Sequence, residues 1–514
     1  MHPTESRPQL QKVLVSSVLL GILIFFIWPY LWAIPTGIDD SMITARHSEN
    51  LARGNGLVFS QGEKVLGTTT PLWALISHWI FYIPLNSTGH GVFLCLLGGV
   101  FALAAIVIWS RKNFPTSLPL SCVMAFLLCV FPSTGEAFSM GMETGFLIFL
   151  TVLLWNSLLF TPEKEIHWIK IAALAQAMLL TRLDSLFLLL SISMSYLWVF
   201  RERSRKPFFK ALGAITAVTL GWLIFCKVHY GHFLPHSMVA KSGFSSSLGE
   251  TVSQLISQWV PKGAELLRLG FPWPLRFRSI LQILYAASVL GCLFLPFLNW
   301  RNLSKRERFQ LLSALLYLGS YSAFFAMGKA GIYPWYSHLP CFVWFGSSLP
   351  IMLREFHKTH FRVVLVTLSG LALMIQFLVF LGLYQRGSTH LSNLQLGEYL
   401  RNAPCDSVML EPIGFLGFHS KCRKVMDLAG LVSPDVLVYR RQGNPGWFFE
   451  AVVKKKPQFI VLRKGEVERN LGFNVGILFS SEQQREAWKK LYQEVSDELP
   501  WQKEYSLYRL VPQG

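Results

Sequence analysis

The sequence predicts a polytopic α-helical membrane protein that ends in a soluble α/β domain, and three observations predict it. The 514-residue chain is 52% hydrophobic and only 15% charged, with 40 Phe and 17 Trp. Apolar runs of the length that matches a bilayer's hydrocarbon core recur through residue 385. Beyond residue 385 the pattern changes to short strands and amphipathic helices. The apolar runs lack strand alternation, and backbone polar groups in lipid need internal partners, so the spans are helical.

Taken in order, residues 13–32 read as a retained first helix, because no small-residue cleavage site follows them. The predicted spans are 12–34, 91–110, 117–132, 144–160, 166–181, 183–200, 208–229, 277–298, 309–327, 334–352 and 362–385, about eleven in all. The pair meeting at "TRLD" (181–184) is a tight hairpin, since one continuous helix there would reach roughly 50 Å, too long for one span. "PLWALISHWIFYIP" (71–84) is bracketed by prolines and too short to cross, which suits an interfacial or re-entrant helix. With that assignment the basic loops at 111–114, 201–206, 299–308 and 353–362 share one side, the cytoplasmic one. The formal charge of +18 is thus dispersed over short loops and forms no continuous basic face for nucleic acid. The N-terminus is then inside, residues 1–385 form the membrane part with outer loops 35–90 and 230–276, and residues 386–514 form the outer domain.

That tail reads as strand, short Gly-punctuated helix and strand over 407–432, a strand at 457–463, an amphipathic helix at 480–495 and a closing strand at 505–511. Its length of about 125 residues is enough for an independent core. Six of the eight cysteines lie in or beside apolar runs and act as small buried hydrophobes. Cys405 and Cys422 flank the first strand–helix pair, and on an oxidising side they would close a loop of about 17 residues, for roughly 3 kcal/mol.

Five polar clusters fall on the non-cytoplasmic side: 37–73, "SMGMET" (139–144), "TRLD", "YGHFLPHSMVAKSG" (230–243) and "GIYPWYSH" (331–338). Ionisable groups beside lipid are costly without a role, so their convergence suggests one site. Asp39 and Asp40 follow the first span; adjacent carboxylates repel, and one of them suits a general base for a hydroxyl. A turn pair at a helix end is the structural alternative. Arg46 and Arg53, seven residues apart, share a helical face and can grip phosphate bidentately, or contact lipid headgroups. Glu143, Arg182 and Asp184 sit at span ends, where caps and ion pairs are common. Lys241 lies with His232 and His236 in the long outer loop. The glycine-turned stretch 55–73 carries neither a Walker pattern nor a dinucleotide fingerprint. Cations to hold a leaving phosphate, a carboxylate to activate a hydroxyl and aromatics to stack on sugars suit a lipid-linked phosphate donor.

With those residues in view, the sequence resembles the GT-C class of integral-membrane glycosyltransferases. Within it the likeness is to the branch containing the mycobacterial terminal β-(1→2) arabinofuranosyltransferase. It rests on "DDSMITARHSENLARGNGLVFSQGEKVLGTTTPLW", "GMET", "TRLD", "YGHFLPHSMVAK", "YPWY", and "IGFLGFHS" followed by "DLAGLVSPD", which occur in the family's order. The resemblance implies inverting transfer of a sugar from a polyprenyl-phosphate donor to a hydroxyl of an envelope glycan or glycolipid. It places that transfer at the outer face of a bacterial cytoplasmic membrane. It carries the base over to Asp39, with Asp40 beside it. Arg46, Glu143, Arg182, Asp184, His236, Lys241 and Tyr336 are the expected donor-binding residues, and Trp335 and Asp427 the acceptor contacts. Asp427, Gly430 and Asp435 match a tail motif that a structural turn explains equally well. A divalent cation, Mg²⁺ or Ca²⁺, bridged by Asp39, Asp40, Glu143 and His236 is left open. The chain departs from the family at Leu183 and Gly145, where proline is usual, and at His232, where an acid is usual, so the sugar is not inferred. A transporter or flippase, or an envelope-assembly protein without catalysis, is the alternative; no internal repeat favours the transporter.

Overall fold

A computed structural model describes residues 37–130, 140–241, 300–328, 333–356, 391–473, 475–495 and 500–512, together with Ser247, Gly249 and Glu250. The expected spans 12–34, 277–298 and 362–385, and most of the outer loop beyond Lys241, lie outside them.

The first described helix, α1 (Asp39–Ala52), leads through a glycine-turned loop to α2 (Pro71–Ser77), which continues as a 3-10 turn at His78–Tyr82. The seven residues of α2 and five of the turn are too few to cross a bilayer. Then come α3 (Ser87–Asn113), α4 (Leu118–Val130), α5 (Thr144–Leu159), α6 (Trp168–Thr181), α7 (Ser185–Val199), α8 (Lys206–Tyr230), the short α9 (His236–Lys241), α10 (Lys305–Gly328) and α11 (His338–Phe356). Among the described residues three helices, α3, α8 and α10, are long and apolar enough to cross a membrane. Local chemistry sets their ends. The Asn86 side chain accepts from the Gly89 amide at 2.7 Å to open α3, and Gly231, at φ +83°, closes α8. Residues 166–200 are two helices, broken where Arg182 adopts an extended conformation.

The helical core packs α3 on α5, α7 on α10 and α6 on α8. At its centre the Trp109 indole donates to the Gly346 carbonyl at 2.8 Å and lies 4.9 Å from Trp155, centroid to centroid. Gly145 explains one departure from the family pattern. A Cβ there would sit 2.1 Å from the Gly98 carbonyl oxygen, so the close approach of α3 and α5 admits neither alanine nor proline.

Helix α12 covers residues 391–402. The tail then builds β1 (Ser407–Leu410), α13 (Ile413–Ser420), β2 (Lys424–Asp427), α14 (Pro434–Gln442), α15 (Trp447–Lys455), β3 (Phe459–Arg463), α16 (Glu466–Arg469), the two-residue pair β4 and β5 (Leu471–Gly472, Gly476–Ile477), α17 (Glu482–Leu491), β6 (Tyr492–Glu494) and β7 (Tyr505–Leu510). The main sheet has the order β2-β1-β3-β7-β6, parallel across β2, β1 and β3 and antiparallel beyond. Its central strands are buried on both faces, which is why they read as continuous apolar runs without alternation. The expected helix over 480–495 stops at Leu491, because the buried Tyr492 turns in to pair with Leu510 as β6. Cys405 and Cys422 form a disulfide that brackets β1 and α13.

Two outcomes follow from this packing. Gly145→Ala is expected to separate α3 from α5 and lower the midpoint of thermal unfolding in detergent, by an overpacking penalty of ~1–3 kcal/mol. Replacing both Cys405 and Cys422 by Ser is expected to cost ~3 kcal/mol in denaturant titrations. An unchanged midpoint in either case would contradict the packing described.

Candidate active site

The opening polar stretch is held against two other parts of the chain. The Ile38 amide donates to the Met140 carbonyl at 3.2 Å, which brings 37–41 beside the "GMET" cluster. On the other side α1 packs along α13 of the tail. Asp39 accepts from the amides of Gly414 at 3.1 Å and Phe415 at 2.7 Å, the first turn of α13. Burial pushes its carboxyl up to about 7, the two amides oppose the rise, and Asp40 and Glu411 add to it.

Arg46 is not at a phosphate site. It is buried, its Nε donates to the Phe59 carbonyl at 2.7 Å, and Nη1 and Nη2 donate to the carbonyls of Gly417 and Cys422. The guanidinium thus satisfies backbone carbonyls from the first outer loop and the tail together. Glu49, also buried, meets Lys421 of the tail at 2.5 Å and Arg53 at 2.7 Å. His47 is equally structural: its Nδ1 donates to the Ile43 carbonyl and its Nε2 accepts from the Gly67 amide at 3.1 Å. Burial drops its pKa to about 4, which keeps the ring neutral as that pattern requires.

A second group lies where α5, α6, α7, α9 and the 3-10 turn Pro334–Ser337 meet. Arg182 donates to Asp184 through Nε at 2.9 Å and Nη2 at 2.6 Å, and through Nη1 to the buried Glu143 at 2.8 Å. Two carboxylates therefore surround one guanidinium, a charge-assisted network that fixes three span ends relative to one another. The Tyr321 hydroxyl donates to Asp184 at 3.2 Å, and Arg182 lies 5.1 Å from the Tyr336 ring centroid. Lys241 lies 5.1 Å from the Tyr333 centroid, with Tyr336 near enough to favour its charge. Burial opposes its charge, but Tyr336, Asp40 and Tyr333 around it outweigh burial and lift its pKa above the ordinary lysine value. Tyr333 stacks on Trp335 with centroids 4.9 Å apart and planes 9° from parallel. It also feels the charge of Arg440 from α14, whose Nη1 donates to the Ala429 carbonyl at 2.6 Å.

A polar group thus runs from Lys241 through Tyr336 and Arg182 to Asp184, with the charge of Asp40 acting on Lys241 at its outer end. Asp184 also stands in the wall of an apolar cavity of about 540 Å³ between α5, α6, α7 and α8, lined by residues such as Leu154, Leu179, Leu190 and Leu223.

Other expected residues fall elsewhere. Asp427 is fully buried and accepts from the amides of Ala429, Leu431 and Val432, so it closes a turn and offers nothing to an acceptor. The His236 amide donates to the Leu66 carbonyl at 2.8 Å, its ring lies 5.7 Å from that of His232, and burial pushes it down to about 4. Among the described residues no group of three or more His, Cys, Asp or Glu is placed to hold a metal ion. Asp39 and Glu143 are engaged by amides and Arg182 instead. Sequence reasoning missed Arg440, Glu411, Tyr333 and Tyr321. Arg440 and Glu411 lie in the tail, and no local spacing ties them to residues 39–40.

Comparison with known structures matches the fold over nearly the whole chain. ArnT from Cupriavidus metallidurans in the apo state superposes with a TM-score of 0.62 at 12% identity, over 99% of this chain and 100% of that one. The fold is that of the GT-C glycosyltransferases. ArnT from the same organism bound to undecaprenyl phosphate superposes with a TM-score of 0.52 at 13% identity, over 98% and 99% of the two chains. The apo oligosaccharyltransferase of Archaeoglobus fulgidus, another GT-C enzyme, gives 0.51 at 11% identity, over 93% of this chain and 73% of that one. Residues 382–508 match a family described as a domain of unknown function, DUF8728. No curated protein matches the sequence.

Two measurements check the loop–tail junction. Arg46→Ala strands three buried carbonyls and is expected to cost ~3 kcal/mol or more in unfolding titrations. Burial lifts the Asp39 carboxyl from its ordinary 3.8 to about 7 in the folded protein. The stability it lends is therefore complete below the unfolded value and lost as pH rises through the folded one. Intrinsic-rate-corrected amide exchange of α1 and α13 is expected to be slower at pH 5 than at pH 8, and equal protection would contradict the buried carboxyl.

Proposed function

We propose that this protein is an inverting GT-C glycosyltransferase that moves a sugar from a polyprenyl-phosphate donor to a hydroxyl of an envelope glycan or glycolipid. The observation that carries the reading is the polar group from Lys241 to Asp184 ending in the wall of an apolar cavity. A polyprenyl tail suits that cavity and a phosphosugar suits the polar group beside it. The ArnT fold, seen for that protein with undecaprenyl phosphate, supports the same donor class. The likeness to the arabinofuranosyltransferase branch supports an extracytoplasmic site, and the apolar runs with their basic loops support a cytoplasmic N-terminus, about eleven spans and an outer tail.

In the proposed step the acceptor hydroxyl gives its proton to Asp40 while its oxygen attacks the anomeric carbon. The bond from that carbon to the phosphate oxygen breaks, its electron pair leaves with the lipid phosphate, and the anomeric centre inverts. The pKa of Asp39 alone would nominate it as base, but geometry comes first, and its oxygens face two amides. Among the described residues Asp40 has no such amide partners, and it acts electrostatically on Lys241 and Tyr333. The departing phosphate gains negative charge, and Arg182 is already matched by two carboxylates. Lys241 and Arg440 are the cations proposed to meet it. Tyr333 and Trp335 offer a stacked aromatic face to a sugar.

The test is mass spectrometry of envelope glycans and polyprenyl-phosphate sugars in cells lacking the protein. One sugar is expected to disappear from a glycan and return with the wild-type gene. Asp40→Asn is expected to return none of it, and Lys241→Ala or Arg440→Ala roughly a hundredth to a tenth. Full restoration by Asp40→Asn would remove Asp40 as the base, and an unaltered glycan profile on deletion would remove the transferase reading.

A further inference from the structure

We propose that the C-terminal α/β unit is a positioning element of the active site: through α13 it holds Asp39 and so aims Asp40 at Lys241. This rests on the reading of Asp40 as the base, and it gives the region matched as a domain of unknown function a defined task.

The contact is unusually close. A Cβ at Gly414 would lie 1.8 Å from the Asp39 carbonyl oxygen, and one at Gly417 would lie 2.8 Å from the Phe59 ring. Only glycine lets α13 lie this near to α1 and present two first-turn amides to one carboxylate. Successive helical residues point about 100° apart, so holding Asp39 against α13 sets the direction in which Asp40 leaves α1. Arg46 and Glu49, further along α1, are clamped to the same tail segment and stop the helix from turning. The tail also reaches the cation. Arg441 Nη2 donates to the Val239 carbonyl at 2.7 Å, on the short helix that ends in Lys241. One unit therefore holds both the proposed base and the proposed phosphate ligand, and a displacement of about 1 Å between such groups is enough to cost rate.

The experiment uses the full chain, in cells lacking the gene and purified in detergent, with undecaprenyl phosphate as the binding probe. Asp39→Ala and Gly414→Ala are expected to lower sugar transfer roughly tenfold to a hundredfold while undecaprenyl phosphate affinity changes by less than about twofold. Amide exchange of α1 is expected to quicken in both. Asp39→Asn keeps an acceptor oxygen for α13 and is expected to retain at least about a third of wild-type transfer, whereas a base would tolerate no such change. Undiminished transfer in Gly414→Ala overturns the proposal, as does unchanged α1 exchange in that variant. Asp39→Asn as inactive as Asp40→Asn overturns it too, by making Asp39 itself the base. If the wild type restores no sugar, the transferase reading falls alone, and α1 exchange in Gly414→Ala still decides whether the tail holds the loop.

Discussion

The buried guanidinium of Arg46, shared among the carbonyls of Phe59, Gly417 and Cys422, is the constraint on which the outer face depends. A cation removed from water needs its donors matched, and here the matches come from the first outer loop and from the tail, far apart in the sequence. The loop cannot move without stranding the charge, and neither can the tail. Around that junction the smaller contacts fall into place: Lys421 on Glu49, the His47 ring on Gly67, and α13 capped by Asp39.

Once Arg46 is given to structure, the charge balance of the site changes. Arg182 is held by Glu143 and Asp184, so it organises helix ends and is electrically matched before any substrate arrives. Lys241 is different. It sits among Tyr333, Tyr336 and Asp40, whose partial and full negative charge keeps it protonated despite burial. Its partners are aromatic hydroxyls and one carboxylate, where Arg182 is clasped by two carboxylates and Arg46 by three carbonyls.

How much of this was legible in the chain depends on the range of the signal. The helices at 87–113, 206–230 and 305–328 are apolar runs long enough to read directly, and the break at "TRLD" follows from helix length. The strands β1, β3 and β7 announce themselves as short apolar runs bounded by turns. Helices α14 and α15 were not read, since "PDVLVYRRQ" and "WFFEAVVKK" are brief and flanked by glycine, and their stability comes from packing on the sheet. Of the site, the pair Asp39–Asp40 and the cluster of Glu143, Arg182, Asp184, Lys241 and Tyr336 were visible as polar residues at apolar boundaries. Arg440 was not, because a tail arginine among many carries no local mark of its spatial neighbours.

The sequence by itself determined the class of protein, because transfer of apolar surface from water depends on composition and run length, which are local. It determined the inventory of chemistry too: two adjacent carboxylates, several arginines, a lysine and many aromatics. Only the tertiary structure decided what each charge does. Whether an arginine serves backbone carbonyls, carboxylates or an open site depends on which partners surround it, and those partners come from segments far apart in the chain. Asp39 makes the point most simply, since its carboxylate is held by two amides of a helix some 375 residues away in the chain.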